Sequence, residues 1–538
     1  MKPHRAGLLL ASGTALALLL AACGGSSGSS PTASSQPAAS NQVFTYVTSS
    51  EVMVDGWDPA TEDSDGIIAM SNIYETLTHY NSTTHTVSPL LATSWSKSAD
   101  GLTWTFHLRQ GVHFHTGRLM TAQAAKAAIL RTKQLGQAAA YVWDAVKTIS
   151  TPNQSTLVFH LSYPSPIDLE ASADYSAYIY DTQAAGSGAS SSALTKWFNT
   201  PHDAGTGPYT VQTWNKGQEF EVILKAYPGY WGGWSGPHYK KVVFRVVKQD
   251  STAAQLLRSG QVTFVQQIGP SVWKSFQGNP GIRTISAPSW QNLLAQLNAK
   301  TLSLPVRQAI SYGINYPGII AALQGAAVPS SGLVPPGLFG HFSNLPNYNY
   351  NPAKAAQLLK QAGYGPGGKK LNLTLTYAQG DSNEQVVATL LKSSLAKLNI
   401  NLTTQSLAWP TQWAKAKSAN AANRQSIFLE YWWPDYADPY SWFNNLLETQ
   451  KPPYFNLSYY SNPALDKQIG QVESLVATNR AASSQLYRKM QMEVIQQAPI
   501  APLYNVNYQY GMRDSFTGFQ VNPAYPEVVF VHNLTPTG

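Results

Sequence analysis

One long apolar run without charge occurs in the chain, Gly7 to Leu20, and it leads almost directly into the only cysteine, Cys23. Lys2, His4 and Arg5 precede it. A basic start, a short apolar stretch and small residues at a cleavage point make the three-part order of an export signal, and the run is short for a membrane span. Everything after it is expected to fold outside the cytoplasm without an intramolecular disulfide, a thiolate metal cluster or a cysteine nucleophile. No second long apolar run follows, so the body is expected to be soluble and to rely on packed cores. Residues 41–538 are enough for two or three domains. Apolar residues make up 43% and aromatics 11%, so large cores are feasible. Charged residues make up only 12%, against about 25% in an ordinary domain. Polar surface therefore falls to Gln, Asn, Ser and Thr. The formal charge of +8 drops to +6 when Lys2 and Arg5 leave with the signal. The remaining positive residues are scattered, which excludes a nucleic-acid footprint.

The signal ends in Leu20-Ala21-Ala22-Cys23. Two small residues before a cysteine suit a signal peptidase, and the thiol is the nucleophile that would accept a diacylglycerol. The box resembles a bacterial lipoprotein signal. It implies a signal peptide over 1–22 and a protein on the extracytoplasmic face of the cell membrane, anchored there by lipid on Cys23 rather than by a spanning helix. Residues 23–40, rich in Gly, Ser, Pro, Thr and Ala, have little to bury and read as a flexible tether.

The body reads as mixed α and β. Leu102, Trp104, Phe106 and Leu108 alternate with Thr103, Thr105 and His107, which is strand periodicity with one buried face. Trp104 and Phe106 are expected in the core. Thr121 is placed to cap a helix running to about Leu135. Leu157 to Leu161 and Val242 to Val247 read as strands, the second apolar enough for a covered sheet. Asn351-Pro352 opens a helix, with Asn as the cap and Pro in the first turn, where its missing N–H costs nothing; Gly363 stops it. Leu371 to Tyr377 reads as a strand. Val387, Leu390, Leu391, Leu395 and Leu398 recur at helical spacing, and a further helix spans Gln485 to Gln496. The loops Tyr227–Tyr239 and Trp432–Phe443 carry so many large rings that each is expected to be pinned to a core or a ligand.

Four segments in order carry a resemblance. They are Leu90-Leu91-Ala92-Thr93-Ser94-Trp95 with Asp100 to Gly117; Gly205-Thr206-Gly207-Pro208-Tyr209 with Tyr227-Pro228-Gly229-Tyr230-Trp231; Val306 to Ile314; and Trp433-Pro434-Asp435-Tyr436-Ala437-Asp438-Pro439. Together they resemble the bacterial extracellular solute-binding proteins of oligopeptide and dipeptide ABC importers (family 5), over about Val43 to Thr537. The resemblance implies an α/β, two-lobe periplasmic-binding-protein-like fold of type II, with an extra domain inserted in lobe I. Lobe I is then expected at 41–86, 206–287 and 504–538, the inserted domain at 87–205 and lobe II at 288–503. It also implies a non-catalytic monomer without cofactor, whose partners are a solute and the transmembrane subunits of a permease.

In peptide-binding members of that family, the aspartate of the motif matched by Trp433-Pro434-Asp435-Tyr436 holds the peptide's free amino group, and the role transfers to Asp435. The chemistry is sound, because an ammonium buried by lobe closure needs a carboxylate partner. Trp432 and Trp433 point opposite ways in an extended segment, so one of them is expected to face the cleft. Tyr436, Trp409, Trp413, Trp290 and Tyr312 are further candidates, because rings give large contact area at low entropic cost. Peptides are the expected solute, held partly as an added strand. An oligosaccharide is the competitor, since Gln, Asn and Tyr would serve a polyol equally. The low charge count argues against a strongly charged solute. His113 and His115 share a strand face, but no carboxylate or cysteine is close in sequence, so a metal solute lacks support. Glu430, Asp435 and Asp438 would be the carboxylates of a secreted glycoside hydrolase, the alternative from a different class; no catalytic motif accompanies them.

Overall fold

The computed structural model describes residues 42–49, 53–217, 220–266 and 268–537; Cys23 and the tether lie outside them. The local signals act as their chemistry requires. The strand Thr103–Leu108 buries Trp104, Phe106 and Leu108 and leaves His107 exposed. The helix Ala122–Leu135 is capped by the Thr121 side chain, which accepts from the Ala124 N–H, and stops at Gly136 with φ 59°. The helix Pro352–Gln361 begins at Asn351, whose side chain accepts from the Lys354 N–H at 2.9 Å. That bond satisfies a backbone donor with no partner inside the helix. Asn351→Ala is expected to lower unfolding free energy by about 1 kcal/mol, read as a shifted denaturant midpoint with unchanged slope.

One large sheet runs through the molecule. Its strand order is Ile400–Leu407, Leu371–Ala378, Ile427–Trp432, Ile282–Leu297, Ile500–Arg513, Phe264–Val265, Val43–Thr48, Lys241–Val246, Glu221–Ala226 and Tyr209–Asn215. The middle of this order explains its shape. Ile282–Leu297 and Ile500–Arg513 are the two longest strands, at 16 and 14 residues, and they pair antiparallel. At one end of the pair, Arg513 neighbours Ile282 and Met512 pairs with Phe264. At the other, Asn292 to Leu297 pair with Ile427–Trp432. The register of the long pair shifts between Pro288 and Asn292. Two strand bodies are thus joined by paired crossings, and the chain has a two-lobed α/β fold. A separate four-stranded antiparallel sheet, ordered Ala92–Lys97, Thr103–Leu108, Thr156–Leu161 and Val146–Asn153, is drawn entirely from one stretch of chain. The helix Ala122–Leu135 packs on it through Ala125, Ala128 and Ile129.

Two glycines of Gly205-Thr206-Gly207-Pro208 are required by close approach rather than by a positive φ. A Cβ on Gly205 would lie 2.0 Å from the Ile73 carbonyl oxygen, and one on Gly207 2.7 Å from it. The ring-rich loop at Tyr227–Tyr239 is pinned to a buried carboxylate: Tyr230 Oη and Trp231 Nε1 donate to Glu75 at 3.1 and 2.8 Å. The second such stretch is not all loop. Tyr440–Leu446 is a helix whose Trp442, Phe443 and Leu446 are fully buried. His115 turns inward to an ion pair with Asp203, and its Nε2 meets the Gly207 carbonyl at 2.8 Å, while His113 faces outward. The two histidines therefore do not converge on one point. No helix among the described residues is long and apolar enough to cross a membrane.

Candidate ligand-binding site

A large cavity, with about 1260 Å³ of atom-free space including its mouth, is walled by chain segments far apart in sequence. One wall is the end of the strand Ile427–Trp432 and the loop after it, which supply Glu430, Tyr431, Trp432, Trp433 and Asp435. Asp63, Ser64 and Asp65 also line it, as do Ala138, Ala139 and Tyr175. Ala378 to Asp381, Glu384 and Trp409 close another side, and Gln291, Tyr508 and Glu527 complete it.

The segment bearing Asp63 and Asp65 is held from behind. Arg131, on the helix Ala122–Leu135, grips Asp58 with both ends of its guanidinium at 2.8 and 2.6 Å. Glu62 then folds the turn by accepting from the N–H groups of Ser64 and Gly66 at 2.9 and 3.1 Å. Bidentate and buried, the Arg131–Asp58 pair is of the geometry that fixes a backbone position. Tyr454 Oη donates to Asp63 at 2.6 Å across the cavity rim.

Asp435 is buried, with 8% of its surface exposed. Its Oδ2 accepts from Tyr141 Oη at 2.6 Å and from Asn445 Nδ2 at 3.2 Å, and its carbonyl accepts from Tyr525 Oη. Burial pushes its carboxyl up to about 6; the hydrogen bonds from Tyr141 and Asn445 oppose that, and the nearby Asp63 charge adds to it. Every named partner of this carboxylate is neutral, so a cation arriving beside it would meet uncompensated charge.

Among the aromatic candidates, Trp409, Trp432 and Trp433 line the cavity. The expectation that one of the adjacent pair faces away does not hold. The strand ends at Trp432, so the alternation that separates neighbours does not extend to Trp433. Trp432 is fixed by its Nε1 donating to Ser441 Oγ at 3.2 Å and by an edge contact with Phe455, while Trp433 packs near Tyr175. Trp413 stands behind Trp409, with centroids 5.4 Å apart, and is a support rather than a wall. Tyr436 is buried beside a smaller hollow at Ser172 and Tyr525. Trp290 is buried near Tyr80 and His85, with ring centroids 6.0 and 6.3 Å away. Tyr312 packs against Tyr348 on the helix Leu304–Gly313. None of these last four is among the cavity residues. Asp438 is likewise internal, accepting from Tyr487 Oη and from the Tyr440 N–H.

Sequence reasoning missed most of the acidic lining. Seven of the chain's 28 Asp and Glu residues meet here: Asp63, Asp65, Asp381, Glu384, Glu430, Asp435 and Glu527. Burial pushes Asp381 up to about 6 and Glu430 and Glu527 up to about 8, and it raises Glu384 and Asp63 as well.

A family profile, that of bacterial extracellular solute-binding proteins, family 5 Middle, matches residues 86–453. The chain belongs to this family of solute-binding proteins, so its task is binding and not catalysis, and the hydrolase alternative falls. It is 28% identical over 451 residues to the probable D,D-dipeptide-binding periplasmic protein DdpA of Escherichia coli (strain K12), covering 83% of this chain and 84% of that one. Its fold matches the periplasmic binding protein DppA from Helicobacter pylori in complex with the peptide STSA, with TM-score 0.81, 24% identity and coverage of 92% and 98%. It matches equally the oligopeptide-binding protein AppA from Bacillus subtilis in complex with a nonapeptide, with TM-score 0.81, 20% identity and coverage of 93% and 100%.

Proposed function

We propose that the chain is the peptide-capturing component of an ABC importer, closing its lobes on a peptide outside the membrane and passing it to permease subunits. The observation that carries this reading is Asp435, buried in the wall of a large cavity among neutral donors, where a peptide's free ammonium would complete it. A D,D-dipeptide binder among the relatives and peptide complexes among the similar folds support the same class. In this reading the first lobe is 41–86, 206–287 and 504–538, the inserted domain 87–205 and the second lobe 288–503, and the protein acts as a monomer. A second reading, an oligosaccharide, is favoured by the grouping of Trp409, Trp432 and Trp433 as stacking surfaces. Native mass spectrometry of protein purified without refolding decides between them: a co-purified peptide mixture supports the first reading, and a sugar mass in its place overturns it.

Lipid on Cys23 would keep the protein at its importer. Intact-mass measurement of the membrane fraction is expected to show a chain beginning at an acylated Cys23. Cys23→Ser is expected to release the protein from the membrane with its thermal melt unchanged; a variant that stays bound refutes the anchor.

A further inference from the structure

The cavity's charge is one-sided. No Lys, Arg or His stands among its described lining residues, although the chain as a whole carries a formal charge of +8. Leaving Asp65 aside, the other six acidic residues take part in none of the ion pairs His115–Asp203, Arg118–Asp181, Arg131–Asp58 and Arg245–Glu221. Their partners are neutral: Tyr454 for Asp63, Tyr141 and Asn445 for Asp435, Gln296 for Glu430, and main-chain N–H groups for Asp381 and Glu384. Lys417 favours the charged form of Asp63, and its ammonium lies 4.7 Å from the ring centres of Trp413 and Tyr454.

Glu527 supplies an independent sign of a missing ligand. It lines the cavity with 2% of its surface exposed, and its Oε1 is buried without a hydrogen-bond partner. A buried acceptor in that condition is one that a donor on a bound ligand would satisfy. The acids also fall into two groups. Asp435 feels the charge of Asp63, and Glu384 feels Asp381 and Glu430. Trp409, Trp432 and Trp433 line the same cavity, and tryptophan rings suit the aliphatic stems and charged heads of Lys- or Arg-like groups.

From this we infer that the preferred solute is a basic peptide, with its free amino end at Asp435 and a second cationic group at the acids Asp381, Glu384 and Glu430, and with no carboxylate inside the cavity. The inference rests on the peptide reading above and narrows it. Protons held on Glu430 and Glu527 in the empty cavity are the stand-ins that the ligand's cations displace. A ligand carboxylate would meet like charge and no guanidinium or ammonium to receive it, so a short peptide's carboxyl end must lie at the mouth.

The test is titration of the full chain, followed by tryptophan fluorescence and calorimetry, with Lys-Ala-Lys amide, Ala-Ala-Ala amide, Glu-Ala-Glu, spermidine and cellobiose. The basic tripeptide is expected to bind at least about tenfold tighter than the neutral one, with the gap narrowing as salt is raised. Glu430→Gln is expected to shrink that ratio, and Glu527→Gln provides the same reading if the first variant fails to fold. If the neutral or acidic tripeptide binds as tightly as the basic one, the charge inference is wrong and the peptide reading stands. Binding of spermidine with no peptide bound would keep the charge inference and overturn the peptide reading; binding of cellobiose alone overturns both. Should every probe fail, the co-purified solute identified by native mass spectrometry decides, a neutral or acidic species counting against the inference.

Discussion

Asp435→Asn is expected to weaken binding of a free-amine peptide by about 2–5 kcal/mol, or roughly thirtyfold to several thousandfold. The substitution keeps the side chain's size and leaves one oxygen to accept from Tyr141 or Asn445, which donate to the present carboxylate at 2.6 and 3.2 Å. What disappears is the charge. With 8% of the residue exposed, little water can take the place of the lost partner, which puts the effect toward the upper half of that range. N-acetylation of the peptide provides the reciprocal measurement. The acetylated ligand is expected to bind wild type poorly and to be nearly indifferent to the substitution, because the ammonium is already gone. Calorimetry on the four combinations yields the coupling directly. If acetylated and free peptides bind alike, the amino end lies elsewhere, and the Tyr141 and Asn445 bonds to Asp435 serve only to hold the loop.

The parts of this molecule that were legible in its sequence are those in which a local rule meets no competitor. Thr121 and Asn351-Pro352 start helices because capping is decided within four residues. Thr103–Leu108 shows its buried face because one side of the sheet is wet. The helix Pro463–Thr478 opens with the same Asn-Pro chemistry, at Asn462-Pro463, and went unread beside the similar signal at Asn351. Tyr440–Leu446 was hidden by its composition, since a fully buried helix has no polar face to reveal its period. In the site, Asp435, Trp409, Trp432 and Trp433 could be picked out because a motif or a strand end singles them out. The other acids could not. Asp63 and Asp65, Asp381 and Glu384, and Glu527 lie hundreds of residues apart and meet only because two long strands carry the chain twice between the lobes. A low overall charge count argued against a charged solute, yet a quarter of the acids occupy one cavity. Composition averages over the chain, whereas binding depends on where the fold gathers the charge.

That gathering makes affinity and stability respond oppositely to acid. Burial lifts Asp435 and Asp381 to about 6 and Glu430 and Glu527 to about 8, each well above its ordinary value. A cation binds the ionised carboxylates and so lowers their proton affinity in the complex. Affinity for a basic peptide is therefore expected to be greatest near pH 8, to fall below it as Glu430 or Glu527 takes up a proton, and to fall more steeply through about 6 as Asp435 and Asp381 do, by up to about tenfold per pH unit for each carboxylate in contact. The α-ammonium of the free peptide, with an ordinary value of about 7.7–8.0, is already half deprotonated near pH 8, so affinity declines again above it. Between pH 6 and 8, contact with Glu430 or Glu527 expels protons, so the binding heat is expected to vary with the ionisation enthalpy of the buffer. The empty protein behaves in the reverse sense. A carboxyl whose folded value is raised binds more protons folded than unfolded, so its stabilising contribution is complete below its unfolded value near 4 and is lost as pH rises through 6 and then 8. The ligand-free protein is expected to melt at a higher temperature at pH 5 than at pH 8, and a basic peptide to raise the melting temperature far more at pH 8 than at pH 5. A binding constant and a peptide-induced melting shift that are both flat from pH 5 to 8 would show that the cavity carboxylates do not meet the ligand as charged groups.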